Sequence, residues 1–251
     1  MNILITGGAG FIGLNVIVNL VAKKKASKIF IVDDFSNSSK KNIFDALNDN
    51  KYLIIKKTNL IKVNNHKIYI LNKKICNLKH NNKIFNSQIN TIIHLAAQTG
   101  VPKSISNPID DAKRNILDTL NILEIAKTKK IKKIIFASSI GVIGDNRLKN
   151  NSPKPISPYA CSKYSAEHYL RIYSELYNIH TVSLRFANVY GKYSMNKGSV
   201  VAKFIKNILN KDVIKINGDG NQSRDFIYAD DLAKIIIRIL FYKSNKIKKI
   251  N

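Results

Sequence analysis

A glycine-rich run near the start of the chain, Gly7-Gly8-Ala9-Gly10-Phe11-Ile12-Gly13, constrains the fold more than any other feature. It follows an apolar segment at residues 2–6 that is typical of a strand, and it precedes a helical pattern at residues 13–23. Glycines in such a turn let the backbone approach a pyrophosphate, whose charge is favoured at a helix N-terminus. The run alone is weak evidence, because a glycine-rich turn need not bind a ligand.

An acidic residue at the end of the next predicted strand strengthens this interpretation. That strand spans residues 28–33, and Asp33 lies 20 residues after Gly13. A carboxylate at this place can accept hydrogen bonds from the adenosine ribose hydroxyls and would repel a 2′-phosphate. We therefore expect NAD rather than NADP as the cofactor. The alternative is that Asp33 is an ordinary acidic turn residue.

Strand and helix patterns alternate along most of the chain. Further strands are predicted at residues 67–76, 89–96, 133–138 and 181–186, and helices at residues 109–127, 158–177 and 229–242. This alternation predicts a Rossmann-type α/β fold, in which helices cover both faces of a doubly wound parallel sheet. Polar stretches at residues 36–41, 64–65 and 146–155 are expected to be surface loops.

The pattern also suggests how the chain is divided. After Asn188 it becomes irregular and richer in Gly and Asn, which fits a substrate-binding lobe. We expect residues 1–186 and 227–251 to form an NAD-binding domain and residues 187–226 to form a partial substrate-binding lobe.

Tyr159 and Lys163 are four residues apart on a predicted helix, so they share one face. A free tyrosine has a pKa near ~10 and is a poor base at neutral pH, and we expect the nearby ammonium group to lower that pKa. The strand that begins at Lys133 ends in Ser138-Ser139, where a hydroxyl can bind the oxygen on which charge develops. The three elements in this order are far more specific than any one of them.

These residues together resemble the extended short-chain dehydrogenase/reductases, and within them the nucleotide-sugar epimerases and dehydratases. The similarity runs along nearly the whole chain and includes His94-Leu95-Ala96-Ala97 and the segments 157–163, 184–191 and 218–232. The resemblance implies catalytic roles for Ser139, Tyr159 and Lys163, and substrate contacts from Ser139, Asn188 and Arg224. The residues that it implies for the NAD site are Gly7, Gly10, Phe11, Ile12, Gly13, Asp33, Asn37, Asn77, Leu78, Leu95, Ala96, Ala97, Asn115, Tyr159 and Lys163.

Within this family, segments 94–108 and 198–204 most resemble UDP-hexose 4-epimerases. Dehydratases carry an Asp-Glu pair after the catalytic hydroxyl residue, whereas this chain has Ile140 and Gly141, and a glycine cannot transfer a proton. The resemblance therefore implies epimerisation of a UDP-sugar through a transient 4-keto sugar. The alternatives are another NAD-dependent nucleotide-sugar enzyme (a decarboxylase or reductase) and an NAD-binding protein with little activity.

The chain departs from the family pattern at three places. Ile143 stands where a Tyr is usual, and Asn77-Leu78 replaces the Asp–hydrophobic pair that brackets the adenine. The chain ends at Asn251, whereas family members continue with further substrate-lobe elements. We therefore expect a C-terminally truncated substrate lobe.

Composition bears on the other classes of function. Lys and Arg number 42 against 16 Asp and Glu, which gives a formal net charge of +26 and raises the question of nucleic-acid binding. However, 36 of the 42 are Lys spread along the chain, and 31 Asn accompany them. This pattern favours a compositional bias with a solvated basic surface, so we expect no nucleic-acid partner.

The remaining expectations concern location and assembly. Cys76 and Cys161 are the only cysteines and have no metal-ligand spacing, which favours a reducing, cytoplasmic setting without a metal site. No run approaches the ~18 apolar residues of a membrane span, so we expect no membrane partner. The predicted helices at residues 109–127 and 158–177 are candidates for pairing in a homodimer.

Overall fold

A computed structural model describes residues 1–23, 26–52, 54–57, 59–144, 153–194, 198–216 and 218–242 of the protein. Its central strands are β1 (Asn2–Thr6), β2 (Lys28–Asp33), β3 (Ile54–Lys57), β4 (Leu60–Val63), β5 (His66–Asn72), β6 (Thr91–His94), β7 (Lys133–Ser139) and β8 (His180–Phe186). In the described part of the chain they form one sheet in the order β3-β4-β5-β2-β1-β6-β7-β8.

Neighbouring strands pair in parallel throughout the six-strand part of the sheet with the order β5-β2-β1-β6-β7-β8. The hairpin of β3 and β4 adds an antiparallel edge beside β5. Counting only the parallel strands along the chain, their order is 3-2-1-4-5-6, which is that of dinucleotide-binding folds. The predicted Rossmann-type fold is therefore confirmed. All parallel strands end at the same edge of the sheet, where ligands of such folds bind.

The helices are α1 (Phe11–Ala22), α2 (Lys40–Asp49), α3 (Val101–Ser106), α4 (Pro108–Ala112), α5 (Asp118–Thr128), α6 (Pro158–Tyr177), α7 (Val200–Asn210) and α8 (Ala229–Phe241). A π-helical turn (Lys113–Leu117) joins α4 to α5, so the long helix predicted at residues 109–127 has an irregular centre. Short 3₁₀ turns lie at Ile75–Asn77, Lys83–Asn86 and Ile140–Val142. No helix among the described residues is both long and apolar enough to cross a membrane.

The two faces of the sheet form two apolar cores because side chains alternate along a strand. Ile3 and Ile5 of β1 pack with α1, α2 and α8 on one face. Leu4 packs with α5 and α6 on the other. Helix α8 thus returns the chain to the main sheet, as the sequence predicts, and it contacts α1.

The described part of residues 187–226 contains the first strand of a small separate sheet and one helix, and the second strand of that sheet begins at residue 226. Strands β9 (Asn188–Tyr190) and β10 (Phe226–Tyr228) pair in parallel outside the central sheet. Helix α7 buries Ala202 but leaves Val200, Ile205 and Ile208 exposed. This segment is the one in which the sequence predicts a substrate lobe, and no element was predicted within it.

Several loop and strand boundaries differ from the sequence predictions. The loop predicted at residues 36–41 is shorter, because Ser39 caps α2 by accepting a hydrogen bond from the Asn42 amide. The strand predicted at residues 67–76 ends at Asn72. Residues 64–65 do form a turn, between β4 and β5. Most of the loop predicted at residues 146–155 lies outside the described residues, which resume at 153.

Lys133 at the start of β7 caps the C-terminus of α8. Its ammonium group donates to the carbonyls of Ile239 (3.0 Å), Leu240 (3.2 Å) and Tyr242 (2.8 Å). The last carbonyls of a helix lack helical partners and carry partial negative charge. We expect Lys133→Met to lower the free energy of unfolding by about 1–2 kcal/mol, measured by urea denaturation. The exposed neighbour variant Lys132→Met should change it by less than ~0.5 kcal/mol, and equal losses in both variants would contradict this role.

Candidate active site

The glycine-rich loop between β1 and α1 passes close to the segment after β6. Gly7 has φ of +67°, and a Cβ atom there would lie 2.7 Å from the backbone nitrogen of Ala96. Its own N–H donates to the Val32 carbonyl at 2.8 Å. Helix α1 begins after Gly10, which provides no side-chain cap. A helix N-terminus that follows a glycine-rich turn favours the negative charge of a phosphate group.

Asp33 at the end of β2 connects the glycine-rich loop to the sheet by hydrogen bonding. Its buried carboxylate accepts hydrogen bonds from the Ala9 amide (2.9 Å), the Phe35 amide (2.9 Å) and the Ser38 hydroxyl (3.1 Å). Burial raises the pKa of Asp33 above its ordinary value, and the hydrogen bonds from Phe35 and Ala9 oppose that rise. A carboxylate has roughly four lone-pair directions, so one on Oδ2 remains for a ribose hydroxyl.

The other residues expected around the cofactor surround the same edge of the sheet. Leu95, Ala96 and Ala97 follow β6 and are half-buried, and the Ala96 amide donates to the Thr6 hydroxyl at 3.3 Å. Phe11 and Ile12 form the first turn of α1. Asn37 is exposed after β2; Asn77 is exposed after β5, while the Leu78 side chain is buried in the core.

His94 is a neutral structural residue beneath this edge. Its Nδ1 lies 2.6 Å from the Thr6 hydroxyl, and its Nε2 lies 3.1 Å from the Thr119 hydroxyl. The Thr119 hydroxyl donates to the Asn115 carbonyl at 2.7 Å, so it accepts from Nε2–H. Burial, assisted by the charge of Lys163, lowers the pKa of His94 to about 3.

Asn115 connects the cofactor edge to α6 from within the π-helical turn. Its Nδ2 donates to the Asp111 carboxylate (2.9 Å), the Ser162 hydroxyl (3.1 Å) and the Gln98 carbonyl (3.2 Å), and its Oδ1 accepts from the Gln98 amide (3.0 Å). The residue is 1% exposed. The Asn115 side-chain amide thus links α4, α6 and the segment after β6.

Helix α6 carries the predicted catalytic pair to the end of β7. The Ser157 hydroxyl caps the helix by accepting from the Ala160 amide at 3.2 Å, and Pro158 occupies the first turn. The Tyr159 hydroxyl is hydrogen-bonded to Ser139. The Lys163 ammonium donates to the Ala137 carbonyl at 3.0 Å. Ser139, Tyr159 and Lys163 therefore converge at the carboxyl end of β7.

The pKa of Tyr159 is shifted in the direction opposite to the one expected from the sequence. Burial raises the pKa of Tyr159, the Ser139 hydrogen bond opposes that rise, and the Asp111 charge adds to it. Lys163 is 2% exposed, and burial lowers its pKa to about 8, against the opposing effect of Asp111. The expected lowering of the Tyr159 pKa is thus wrong for the free protein, in which the Lys163 ammonium lies between the Ala137 carbonyl and the Phe136 ring, 4.7 Å from its centroid.

The two serines at the end of β7 have different surroundings. The Ser138 hydroxyl donates to the Glu167 carboxylate, which also accepts from Arg185 Nε and Nη2 at 3.0 and 2.7 Å. The Ser139 hydroxyl accepts from the Gly141 amide at 3.2 Å and bonds to Tyr159. Of the two, Ser139 is therefore the one whose hydroxyl adjoins Tyr159.

The predicted substrate residues lie on the exposed side of the β9–β10 pair. The Asn188 side chain donates to the Asp225 carbonyl at 3.2 Å, and its backbone amide donates to the same oxygen at 3.1 Å. Arg224 is exposed, and its guanidinium donates to the Ser223 carbonyl at 2.7 Å. The structure therefore brings Asn188 and Arg224 into one neighbourhood through a strand pairing that the sequence did not predict.

Sequence reasoning missed one charged residue of this region, Asp111 of α4. It is 1% exposed and bonds to Asn115, and its charge affects both Tyr159 and Lys163. Its spacing of four residues before Asn115 was the available signal, since residues so spaced share a helix face.

Comparison with known proteins identifies the family. The model of the NAD dependent epimerase/dehydratase family matches residues 3–251. The chain belongs to this family. Its resemblance to the extended short-chain dehydrogenase/reductases is thereby confirmed, and so is NAD as the cofactor of this NAD-dependent family. The glycine cradle and the buried Asp33 carboxylate fit NAD on physical grounds as well.

Individual family members are similar over nearly all of this chain. A putative UDP-glucose 4-epimerase of Methanocaldococcus jannaschii is 36% identical over 249 residues, covering 96% of this chain and 74% of the relative. A dTDP-D-glucose 4,6-dehydratase of Dictyostelium discoideum is 34% identical, covering 95% and 55%. The crystal structure of a UDP-glucuronic acid 4-epimerase from Bacillus cereus, in complex with UDP-glucuronic acid and NAD, aligns with a TM-score of 0.80 at 28% identity, covering 98% and 74%.

The choice between NAD and NADP gives a prediction for Asp33. The wild-type protein should bind NAD more tightly than NADP, because the Asp33 carboxylate accepts from ribose hydroxyls and repels a 2′-phosphate. Asp33→Ala should weaken NAD binding by about tenfold, or ~1.4 kcal/mol. It should also narrow the difference between the affinities for NAD and NADP. Calorimetric titration with each cofactor measures this, with Asp45→Ala on α2 as the exposed acidic control. Tighter binding of NADP by the wild type would contradict the assignment.

Proposed function

We propose that the chain is an NAD-dependent UDP-hexose 4-epimerase that acts through a transient 4-keto sugar. The observation that carries the proposal is the convergence of Ser139, Tyr159 and Lys163 at the carboxyl end of β7, at the sheet edge that also holds the glycine-rich loop. Such a set can remove a proton from a secondary alcohol and hold the oxygen on which charge develops.

In the proposed reaction Tyr159 takes the proton from the sugar 4-hydroxyl, and Ser139 donates a hydrogen bond to the 4-oxygen. NAD held at the glycine-rich loop and Asp33 would supply the acceptor, and afterwards the donor, for the hydride at C4. Lys163, with its pKa of about 8, is mostly protonated at neutral pH and supplies positive charge beside the phenolate. The raised pKa of Tyr159 keeps its proton in place in the free protein, so Tyr159 must release that proton to solvent when NAD and the UDP-sugar bind. The resulting phenolate then accepts the 4-hydroxyl proton and gives it back to the 4-oxygen when the hydride returns.

The nucleotide part of the substrate is assigned to the β9–β10 side. The exposed Arg224 guanidinium is suited to a diphosphate, because its donors match phosphate oxygens in pairs. Asn188 lies near Arg224 because its side chain donates a hydrogen bond to the carbonyl of Asp225, the residue that follows Arg224. The names of the M. jannaschii relative and of the B. cereus structure support a UDP-sugar as the substrate class.

A 4,6-dehydratase is the competing reaction, because a relative of that name matches the chain. Water elimination needs an acid and a base beyond the catalytic hydroxyl residue, and residues 140 and 141 are Ile and Gly. The Gly141 amide is bonded to Ser139, and Ile140 is partly exposed. Epimerisation needs no such pair, so we favour it. We have no observation that favours a decarboxylase, a reductase or an inactive NAD-binding protein.

The division of the chain belongs to the same proposal. Residues 1–186 and 227–251 are assigned to the NAD-binding domain and residues 187–226 to part of a substrate lobe. The packing of α8 against α1 supports this division. The β9–β10 sheet joins the two parts, since β10 extends from residue 226 to residue 228. A homodimer and a cytoplasmic location stay predictions.

The test of the proposed function is incubation of the chain with NAD and a panel of UDP-hexoses, UDP-glucuronate among them. Chromatography and mass spectrometry then identify the products. We expect at least one pair of C4 epimers to interconvert at unchanged mass. A product lighter by one water would indicate a dehydratase, and loss of carbon dioxide would indicate a decarboxylase. In a parallel incubation with NADH, a product heavier by two hydrogens would indicate a reductase. Absence of conversion of every substrate would overturn the proposal.

A further inference from the structure

Asp111 is a buried carboxylate for which the proposed reaction gives no role. It lies in α4 and is 1% exposed. Its Oδ1 accepts a hydrogen bond from Asn115 at 2.9 Å, whereas its Oδ2 is buried without a hydrogen-bond partner among the described residues. A buried carboxylate is costly unless a charge or a donor compensates it. A compensating cation is therefore expected nearby.

Among the residues that the structure describes, Lys163 is the one buried cation. Arg114 of the π-helical turn pairs with Asp110 and Asp34 instead. His94 is neutral, because burial lowers its pKa to about 3. Lys163 of α6 is fully buried, and α6 packs directly against α4.

The described groups around Lys163 likewise point to Asp111 as its counter-charge. On its own helix, Glu167 is engaged with Ser138 and Arg185, and Tyr159 is an uncharged phenol in the free protein. The neighbouring strand β7 offers the Ala137 carbonyl and the Phe136 ring, neither of which is charged. Asp111 is the carboxylate whose charge opposes the loss of the Lys163 proton.

We propose that Asp111 is a positioning residue of the active site, whose buried carboxylate is the counter-charge that keeps the Lys163 ammonium protonated beside Tyr159. This role rests on the proposed function, since a protonated Lys163 matters for the chemistry only if Tyr159 is the base. Asn115 holds Asp111 in place, and its bond to the Ser162 hydroxyl connects Asp111 to the helix turn between Tyr159 and Lys163.

The expected effect of removing the charge has a definite sign. Asp111 raises the pKa of both Lys163 and Tyr159, so Asp111→Asn should lower both. Lys163 would then lose its proton nearer to neutral pH. The alkaline decline of epimerase activity should move to lower pH, and so should its acid limb, because both groups titrate earlier. A merely structural role for Asp111 would reduce activity without moving either limb.

The direct test titrates Lys163 in the full chain without substrate. With ¹³C- and ¹⁵N-labelled lysine, NMR should show one side chain that titrates near pH 8 in the wild type, identified by its loss in Lys163→Met. In Asp111→Asn we expect this titration to move down by about one pH unit or more. Asp110→Asn, the adjacent acid on the same helix, should leave it unchanged, and Asp111→Glu should restore it in part. An unchanged Lys163 titration in folded Asp111→Asn would overturn the proposal.

If Asp111→Asn fails to fold, the double variant with Lys163→Met decides the matter. Because neither charge is then left uncompensated, the double variant should fold. A double variant that also fails to fold would overturn the proposal. The two claims fail separately. A shifted Lys163 titration in a protein that epimerises no UDP-sugar would overturn the proposed function alone, and an active wild type with an unshifted titration would overturn the role of Asp111 alone.

Discussion

Tyr159→Phe should lower the kcat of epimerisation by about 10³-fold while leaving the affinity for NAD nearly unchanged. The phenylalanine ring keeps the packing of α6 but cannot accept the proton of the sugar 4-hydroxyl. Positioned acid–base groups contribute typically 10²–10⁴-fold, and a 10³-fold loss is about 4 kcal/mol of barrier. Steady-state kinetics with the active UDP-sugar and calorimetric titration with NAD measure the two quantities.

Tyr164→Phe is the matched control for this variant. Tyr164 lies on the same helix, where its ring contacts His168 edge to face. Its hydroxyl has no part in the proposed chemistry, so kcat should change by less than about threefold, in the range of ordinary surface substitutions. A Tyr159→Phe protein that retained more than about a tenth of the wild-type kcat would show that Tyr159 is not the base.

Gly13→Ala should abolish measurable NAD binding and destabilise the fold. A Cβ atom at Gly13 would lie 2.6 Å from the Gly7 carbonyl oxygen and from the Gly8 Cα and carbonyl oxygen. All three are backbone atoms of the loop, so no side-chain rotation relieves the contact, and α1 must move away from β1. Such overpacking costs about 1–3 kcal/mol or more of stability, and the loop must change shape where the pyrophosphate is expected.

Thermal denaturation and calorimetric titration with NAD test this second prediction. Gly198→Ala is the control, because no described residue apart from its chain neighbours has an atom within 4 Å of a Cβ atom built at Gly198. We expect its melting temperature and NAD affinity to match those of the wild type. A Gly13→Ala protein that bound NAD as the wild type does would contradict the assigned geometry of the loop.

The elements that the sequence predicted well are those with a strong local pattern. Strands β1 and β2 are continuous apolar runs, and their observed bounds agree with the prediction. Helix α6 begins at a Ser-Pro pair that caps a helix, and its predicted bounds also agree. Buried parallel strands and capped helices have recognisable local sequence patterns, and the fold class could therefore be predicted from the sequence.

The elements that were missed lack such a pattern. Helix α2 buries only Ile43, Ala46 and Leu47 within a polar stretch. The hairpin of β3 and β4 is rich in lysine and lies at the sheet edge. Strands β9 and β10 have three residues each and are stabilised by partners about 37 residues away in sequence, Asn188 and Asp225 for example. Their structure depends on tertiary contacts that local propensity does not report.

The candidate site shows the same limit. Residue types and spacing identified Ser139, Tyr159 and Lys163, because their chemistry is visible in the sequence. The burial of Asp111 was not visible, since the adjacent Asp110 has the same side chain yet lies partly exposed and pairs with Arg114. The direction of the Tyr159 pKa shift was also missed, because burial raises that pKa and the Lys163 ammonium, which is bonded to the Ala137 carbonyl, does not oppose the rise.

The central claim, epimerisation through a 4-keto sugar, is tested most directly by following the hydrogen at C4. The UDP-hexose that the panel identifies is prepared with deuterium at C4 and converted by the chain with NAD in ordinary water. Hydride removal and return at C4 predict that the epimeric product retains the deuterium at C4 and takes up no hydrogen from solvent at any carbon. Loss of the label, or entry of solvent hydrogen at C3 or C5 when the reaction is run in heavy water, would show proton chemistry at carbon and would contradict the account.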